Sequence, residues 1–298
     1  MKQLRSVLVP DEAITAGAVS TYDLPINPLS HIIFTLKCLN VTDEATLTEI
    51  LARVDKVAIT RLGQTAFDIS FDDLFALDCI LFGKMPILAN RVATDNATRY
   101  LTLILPFGRE LYNPDECYPK TSKGEFKMQV TLDSTETACD GVIYQVETVE
   151  LPGASPKQHL KVTTISDTPA ATGEMDVDLP IGNDLAGLMI WGTTVPTGTA
   201  WTCTIDWIKL LLDNVENEIA KAFWESLHGS LLDRVGYIGD FGAAFGNDLI
   251  HKFGLLDFDP RGDSKFLVPT KGLSSCKVRV NAGDTNPLRI LPIELVKV

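Results

Sequence analysis

Short apolar runs in which alternate positions favour Val, Ile, Thr or Phe recur along this 298-residue chain, broken at intervals by Pro, Gly, Asn and Asp. That alternation suits a strand with one buried and one solvated face, so each run predicts a β-strand. In the first half the predicted strands cover 5–9, 19–24, 31–38, 56–61 and 65–69. The period then changes: 71–83 places Leu74, Leu77 and Leu81 on one helical stripe, with Ser70 or Asp72 to cap it and Gly83 to stop it. Strands resume over 100–105, 125–132 and 142–151. A further helix is predicted over 42–54, with Thr42 as its N-cap and Asp43 and Glu44 as first-turn charges.

The second half follows the same order. Strands are predicted over 159–165, 174–179, 185–191 and 202–212, then a helix over 214–232 carrying Ile219, Ala222, Phe223, Leu227 and Leu231, then strands over 249–256, 274–281 and 288–296. The segment Asp23-Leu24-Pro25-Ile26 returns as Asp178-Leu179-Pro180-Ile181, each time ahead of an apolar run. Lys123-Gly124 and the strand after it are echoed by Lys271-Gly272 and theirs. Order, spacing and local character repeat together, which is the mark of an internal duplication. A Pro, Gly and Ser linker at 151–157 separates the copies.

About eight short strands per copy must protect their edges, and a double-sheet jelly roll does so. An immunoglobulin-like sandwich is shorter and has no helix at that place. The expected fold is therefore all-β: two consecutive eight-stranded jelly-roll barrels, 1–152 and 153–298, each with a helix inserted before its seventh strand.

Composition narrows the function. A 45% hydrophobic, 22% charged chain is globular, and its formal charge of −13 without Lys or Arg clusters argues against direct or sequence-specific nucleic-acid binding. No apolar run is long enough for a membrane helix, and the first residues lack a signal-peptide pattern, so a chain made in a cytoplasm, neither membrane-spanning nor secreted, is expected. The six cysteines show no CxxC and no neighbouring His pair, which leaves reduced core thiols as the expectation and makes a Cys117–Cys139 disulfide improbable on pattern.

Candidate chemistry is sparse. His31, His159, His228 and His251 are scattered and accompany no nucleophile or metal motif, so no catalytic residue, metal or cofactor is expected. Asp72 and Asp73 read as first-turn helix charges rather than as an acid pair. The segment 257–264 contains Arg261-Gly262-Asp263 and part of a calcium-loop pattern, with Arg261 and Val268 in two ligand positions, and reads as a solvated turn. Trp191, Trp201, Trp207 and Trp224 all lie in the second half; a sugar-binding platform is the alternative to core packing, and Trp207 and Trp224 read as core. Asn40 and Asn96 begin sequons, which matter only on a secretory route.

Two jelly rolls in series, with the texture of 57–77 followed by 98–112, resemble the double jelly-roll major capsid proteins of tailless icosahedral viruses, especially internal-membrane bacteriophages of the adenovirus-type lineage. The resemblance implies a virion shell protein without catalytic residues, a homotrimer whose six barrels give a pseudo-hexagonal footprint, and contacts with neighbouring capsomers and minor capsid proteins. A doubled barrel lets a threefold assembly fill a sixfold lattice position. It also implies outward towers from loops near the inserted helices, here 84–96 and 233–247, and an N-terminus able to meet an internal lipid membrane through Lys2 and Arg5. The alternatives are a tandem jelly-roll carbohydrate-binding or carbohydrate-active protein, and a minor capsid or spike protein.

Overall fold

The structure, a computed structural model, describes residues 2–83, 88–89, 94–133, 139–196, 200–213, 215–235 and 247–298. The chain separates into two compact units, the first formed chiefly by Met1–Lys161 with Lys297–Val298, the second by Val162–Gly236 and Ile250–Val296.

Unit 1 contains β1 (Leu4–Ala13), β2 (Val19–Asp23), β3 (Leu29–Asn40), α1 (Leu47–Leu51), β4 (Val54–Arg61), β5 (Gln64–Ser70), α2 (Phe71–Phe82), β6 (Leu88–Ala89), β7 (Thr98–Pro106), β8 (Phe126–Leu132) and β9 (Cys139–Glu150). One antiparallel sheet runs β1-β9-β3-β7-β6, and a second runs β2-β8-β4-β5. The chain thus crosses between sheets at every step except β4 to β5 and β6 to β7, which pair as neighbours within one sheet, a crossing pattern that suits a jelly roll. The inward faces meet through aromatic rings: Phe34 of β3 stacks on Tyr144 of β9 at 5.4 Å and meets Phe71 of α2 edge-on at 5.0 Å. Phe107, after β7, touches Phe67 of β5 and Phe126 of β8 at 5.5 and 5.8 Å. Such rings bury large apolar area in specific geometry.

Both unit 1 helices follow from local signals. Ser70 caps α2 by accepting from the Asp73 N–H, and Gly83 ends it in the left-handed region at φ 62°, as expected. The helix precedes β7, the seventh strand, with the two-residue β6 between them. For α1 the expectation is corrected: it starts at Thr46 rather than Thr42, because Thr46 and Glu49 form a reciprocal capping box. Two satisfied backbone donors outweigh one cap with flanking charges, and Glu44 instead pairs with the buried Arg99 at 3.2 Å.

Leading into unit 2 is β10 (Gln158–Thr163), followed by β11 (Ile165–Asp167), β12 (Gly173–Asp178), β13 (Asp184–Gly192), β14 (Ile205–Leu212), β15 (Val215–Phe223), α3 (Trp224–Val235), β16 (Phe253–Asp257), β17 (Val268–Pro269), β18 (Cys276–Ala282) and β19 (Leu288–Lys297). One face orders β16-β13-β19, with β11 on β19 and β17 on β13; the other orders β12-β18-β14-β15. The core draws Leu188 and Ile190 from β13, Ile208 and Leu210 from β14, Val278 and Val280 from β18, and Trp224 and Leu227 from α3. Gly254 of β16 lets α3 lie close, since a Cβ there would sit 3.0 Å from that of Leu227.

Two expectations fail in unit 2. The helix predicted over 214–232 is a strand up to Phe223 and a helix only from Trp224. The cause is a tight hairpin: Asp213 adopts φ 52°, its carboxylate accepts the Ser274 and Ser275 N–H groups at 2.6 and 3.2 Å, and β15 pairs along β14. Ladder pairing overrode a helical spacing that had no cap of its own. The strand predicted from 249 begins only at Phe253, after a 3₁₀ turn over Asn247–Lys252.

The repeated Asp-Leu-Pro-Ile is one corner built twice. In unit 1 the Leu24 N–H donates to the Phe126 carbonyl at 2.9 Å, the Thr121 N–H to Ile26 at 2.9 Å, and the Asn27 amide to the Glu150 carboxylate at 2.8 Å. In unit 2 Leu179 donates to Cys276 at 2.8 Å, Thr270 to Asn183 at 3.2 Å, and the Asn183 amide to Glu294 at 2.7 Å. Register matches too: Leu29 lies opposite Glu150, and Leu185 opposite Glu294. Both glutamates are buried, so each amide satisfies a carboxylate that burial would otherwise penalise. Gly124 and Gly272, at φ 80° and 90°, make the turns that bring the Thr121 and Thr270 segments to these corners.

Candidate functional site

No group of three or more metal-ligating side chains occurs among the described residues. The histidines fall into structural positions. His31 is buried on β3, bonded through Nδ1 to Ser30 Oγ at 2.9 Å and set edge-on to Tyr112 at 5.0 Å. Burial, with Arg5 adding to it, lowers its pKa to about 4. His159 meets Tyr118 edge-on at 4.7 Å, and burial together with Arg61 and Lys161 lowers it likewise to about 4. In unit 2 His228 and His251 are neighbours at 3.3 Å, which their 23-residue separation concealed. His228 donates through Nδ1 to the Phe253 carbonyl at 2.8 Å and stacks on Trp224, so its other nitrogen accepts from His251 Nδ1. The pair fastens α3 to the turn before β16.

The loop over 257–264 is closed by its own acids. Arg234 Nε donates to the Asp257 carboxylate at 2.8 Å, the Asp259 N–H donates to the Asp257 carboxylate at 2.8 Å, the Ser264 N–H donates to the Asp259 carboxylate at 2.9 Å, and the Gly262 N–H donates to the Asp259 backbone carbonyl at 3.0 Å. Asp263 pairs with Lys265 at 2.7 Å, and that contact holds its carboxyl below the usual range. The two carboxylates of the calcium-like pattern are thus committed to the turn itself. Asn40, first residue of one sequon, is buried and bonds the Thr94 carbonyl at 3.1 Å.

Of the tryptophans, Trp224 is buried in the core as expected. Trp207 is not: an irregularity in the β14–β18 register between Ile205 and Trp207 turns it outward, where Lys221 covers its ring at 4.6 Å. Trp191 carries the Arg289 guanidinium 3.9 Å above its ring and lines an open depression of about 520 Å³ with Ser166, Asp167, Thr168 and Pro287. Trp201 is 84% exposed. Three of the four indoles therefore already have a ring partner or full burial. A stacking platform for a sugar needs open faces side by side, and only Trp201 offers one.

At the N-terminus Lys2 is exposed. Arg5 lies on β1 and pairs with Glu147 of β9, so the two basic residues differ in commitment. The loops expected to form towers, 84–96 and 233–247, fall mostly outside the described residues. Apolar side chains exposed along unit 1 include Leu4 and Val7 on edge strand β1 and Val19 on edge strand β2, at 46%, 57% and 55%.

No protein-family model matches the sequence, and no curated protein does. Solved structures do match. The MCP of STIV, Sulfolobus Turreted Icosahedral Virus, is similar at a TM-score of 0.71 and 13% identity, covering 100% of this chain and 97% of its own. The major capsid protein P2 of bacteriophage PM2 follows at 0.68 and 12%, covering 100% and 98%. PBCV-1 VP54 follows at 0.66 and 11%, covering 99% and 93%. The fold is therefore a double jelly roll, shared over the whole length with these proteins.

Proposed function

We propose that the chain is a non-catalytic major capsid subunit of an icosahedral virion, with 1–152 and 153–298 as its two barrels. The observation that carries this reading is the end-to-end match to capsid proteins, in which both jelly rolls and their inserted helices are covered with almost nothing left over on either side. Two related but unequal barrels in one chain suit a homotrimer that fills a sixfold lattice position. Neighbouring capsomers and minor capsid proteins are its partners in the shell. Lys2, which is exposed, and Arg5, which also pairs with Glu147, would meet anionic headgroups of an internal membrane. The chain is made in the host cytoplasm, where its six unlinked, buried cysteines stay reduced.

Size-exclusion chromatography with light scattering tests the reading. A stable species of three times the 32.6 kDa chain mass, giving hexagonal particles in negative stain, is the expected result. A monomer retained on a sugar matrix would favour the carbohydrate-binding alternative instead.

A further inference from the structure

Cys38 and Cys139 lie side by side in the interior of unit 1. On β3, Cys38 and Asn40 point to the same inward side; Cys139, the first residue of β9, lies opposite Asn40, and Arg99 of β7 lies opposite Cys38. Both cysteines are buried, at 2% and 6%, and the Cys139 thiol hydrogen-bonds to the Cys38 sulfur. The guanidinium of Arg99 is fully buried beside them, held by the Ala45 carbonyl at 2.8 Å and by Glu44. Neighbouring strands hold the two sulfurs together, and a fixed cation adjoins them.

We propose that Cys38 and Cys139 form a reversible disulfide when the protein meets a peroxide oxidant, a covalent clamp between the end of β3 and the start of β9. The Cys38 thiolate attacks one peroxide oxygen and releases hydroxide, which takes up the proton that the thiol had lost. The resulting sulfenic acid is attacked by the Cys139 thiol, an S–S bond forms, and water leaves. Two thiols and one hydrogen peroxide thus become one disulfide and two waters. Cys38 is the attacking group because the hydrogen bond from Cys139, together with Arg99 and Arg53, lowers its pKa against the opposing effect of burial. Among the other cysteines, burial pushes the thiols of Cys117 and Cys276 up to about 11 and that of Cys203 up to about 12, and it raises Cys79 further, so those four stay protonated. The bond would close a loop of roughly one hundred residues, near the long end of the range in which cross-links constrain the unfolded chain.

The test treats the intact, reduced protein with hydrogen peroxide. Thiol titration is expected to fall from six groups to four, and peptide mapping to recover one linked pair joining Cys38 to Cys139. The melting temperature should rise by roughly 10 °C and return on addition of a reductant. Cys139→Ser should abolish the linked peptide and the shift, and Cys117→Ser should keep both. Six thiols remaining after peroxide, a link between any other pair, or over-oxidation of Cys38 without a link would overturn the proposal. Mapping the unsubstituted protein decides this even if a variant fails to fold.

Discussion

The buried histidines couple this fold to pH. An unfolded chain protonates His31 near 6.5, whereas in the folded protein, where it is 1% exposed, protonation waits until about 4. The folded pKa is depressed, and for a base this means that the unfolded state binds the proton first. Stability is therefore full above about 6.5 and is lost as pH falls toward 4. A shift of that size corresponds to about 3 kcal/mol. His159 acts in the same direction over the same window. His31→Asn keeps a polar atom near Ser30 Oγ and removes the titration. Between pH 7 and pH 4, urea unfolding of the unsubstituted protein should lose about 3 kcal/mol more than that of the variant. Equal losses would mean that His31 protonates without cost, contrary to its buried setting.

At the level of elements, the duplicated corners make a paired prediction. Asn183→Ala removes a donor from the buried Glu294, and Asn27→Ala does the same to Glu150. Hydrogen bonds to charged groups contribute about 1.5–3 kcal/mol, so each substitution should destabilise by that amount in chemical denaturation. A change in one corner and none in the other would break their equivalence. These corners also show what the chain makes legible. The Leu-Pro-Ile and Lys-Gly letters survive in both copies because the corner needs a buried leucine and a glycine at positive φ. The glutamates that complete it were invisible, since each lies more than a hundred residues away and only the register of β3 with β9 and of β13 with β19 brings it there. Helix α2 was readable from Ser70 and Gly83, both of which act locally. The segment over 215–223 was misread for the opposite reason: its fate depends on β14, and only the Asp213 turn at its head gave local notice. The proximity of His228 and His251, and of Cys38 and Cys139, likewise arises from pairing and packing that no window of sequence contains.

For the whole molecule, charge and exposed apolar surface act against each other. At a formal charge of −13, two copies repel across a distance set by the Debye length, about 30 Å at 0.01 M salt and about 8 Å at 0.15 M. Leu4, Val7, Val19, Trp201 and Phe266 are exposed in the isolated chain, at 46% or more, and their burial does not depend on salt in the same way. Ion pairs within the chain, such as Arg279 to Asp176 at 2.7 Å and Lys56 to Asp68 at 2.6 Å, occupy basic groups, and the net charge left over is acidic. Association should therefore strengthen as salt rises from about 0.01 M to about 0.15 M, because repulsion is screened while apolar contact is retained. Light scattering across that range, with each oligomer resolved by mass, measures the trend. Association that weakens with salt would mean that ion pairs hold the copies together, and the acidic excess would then have to meet a basic surface on the neighbouring copy.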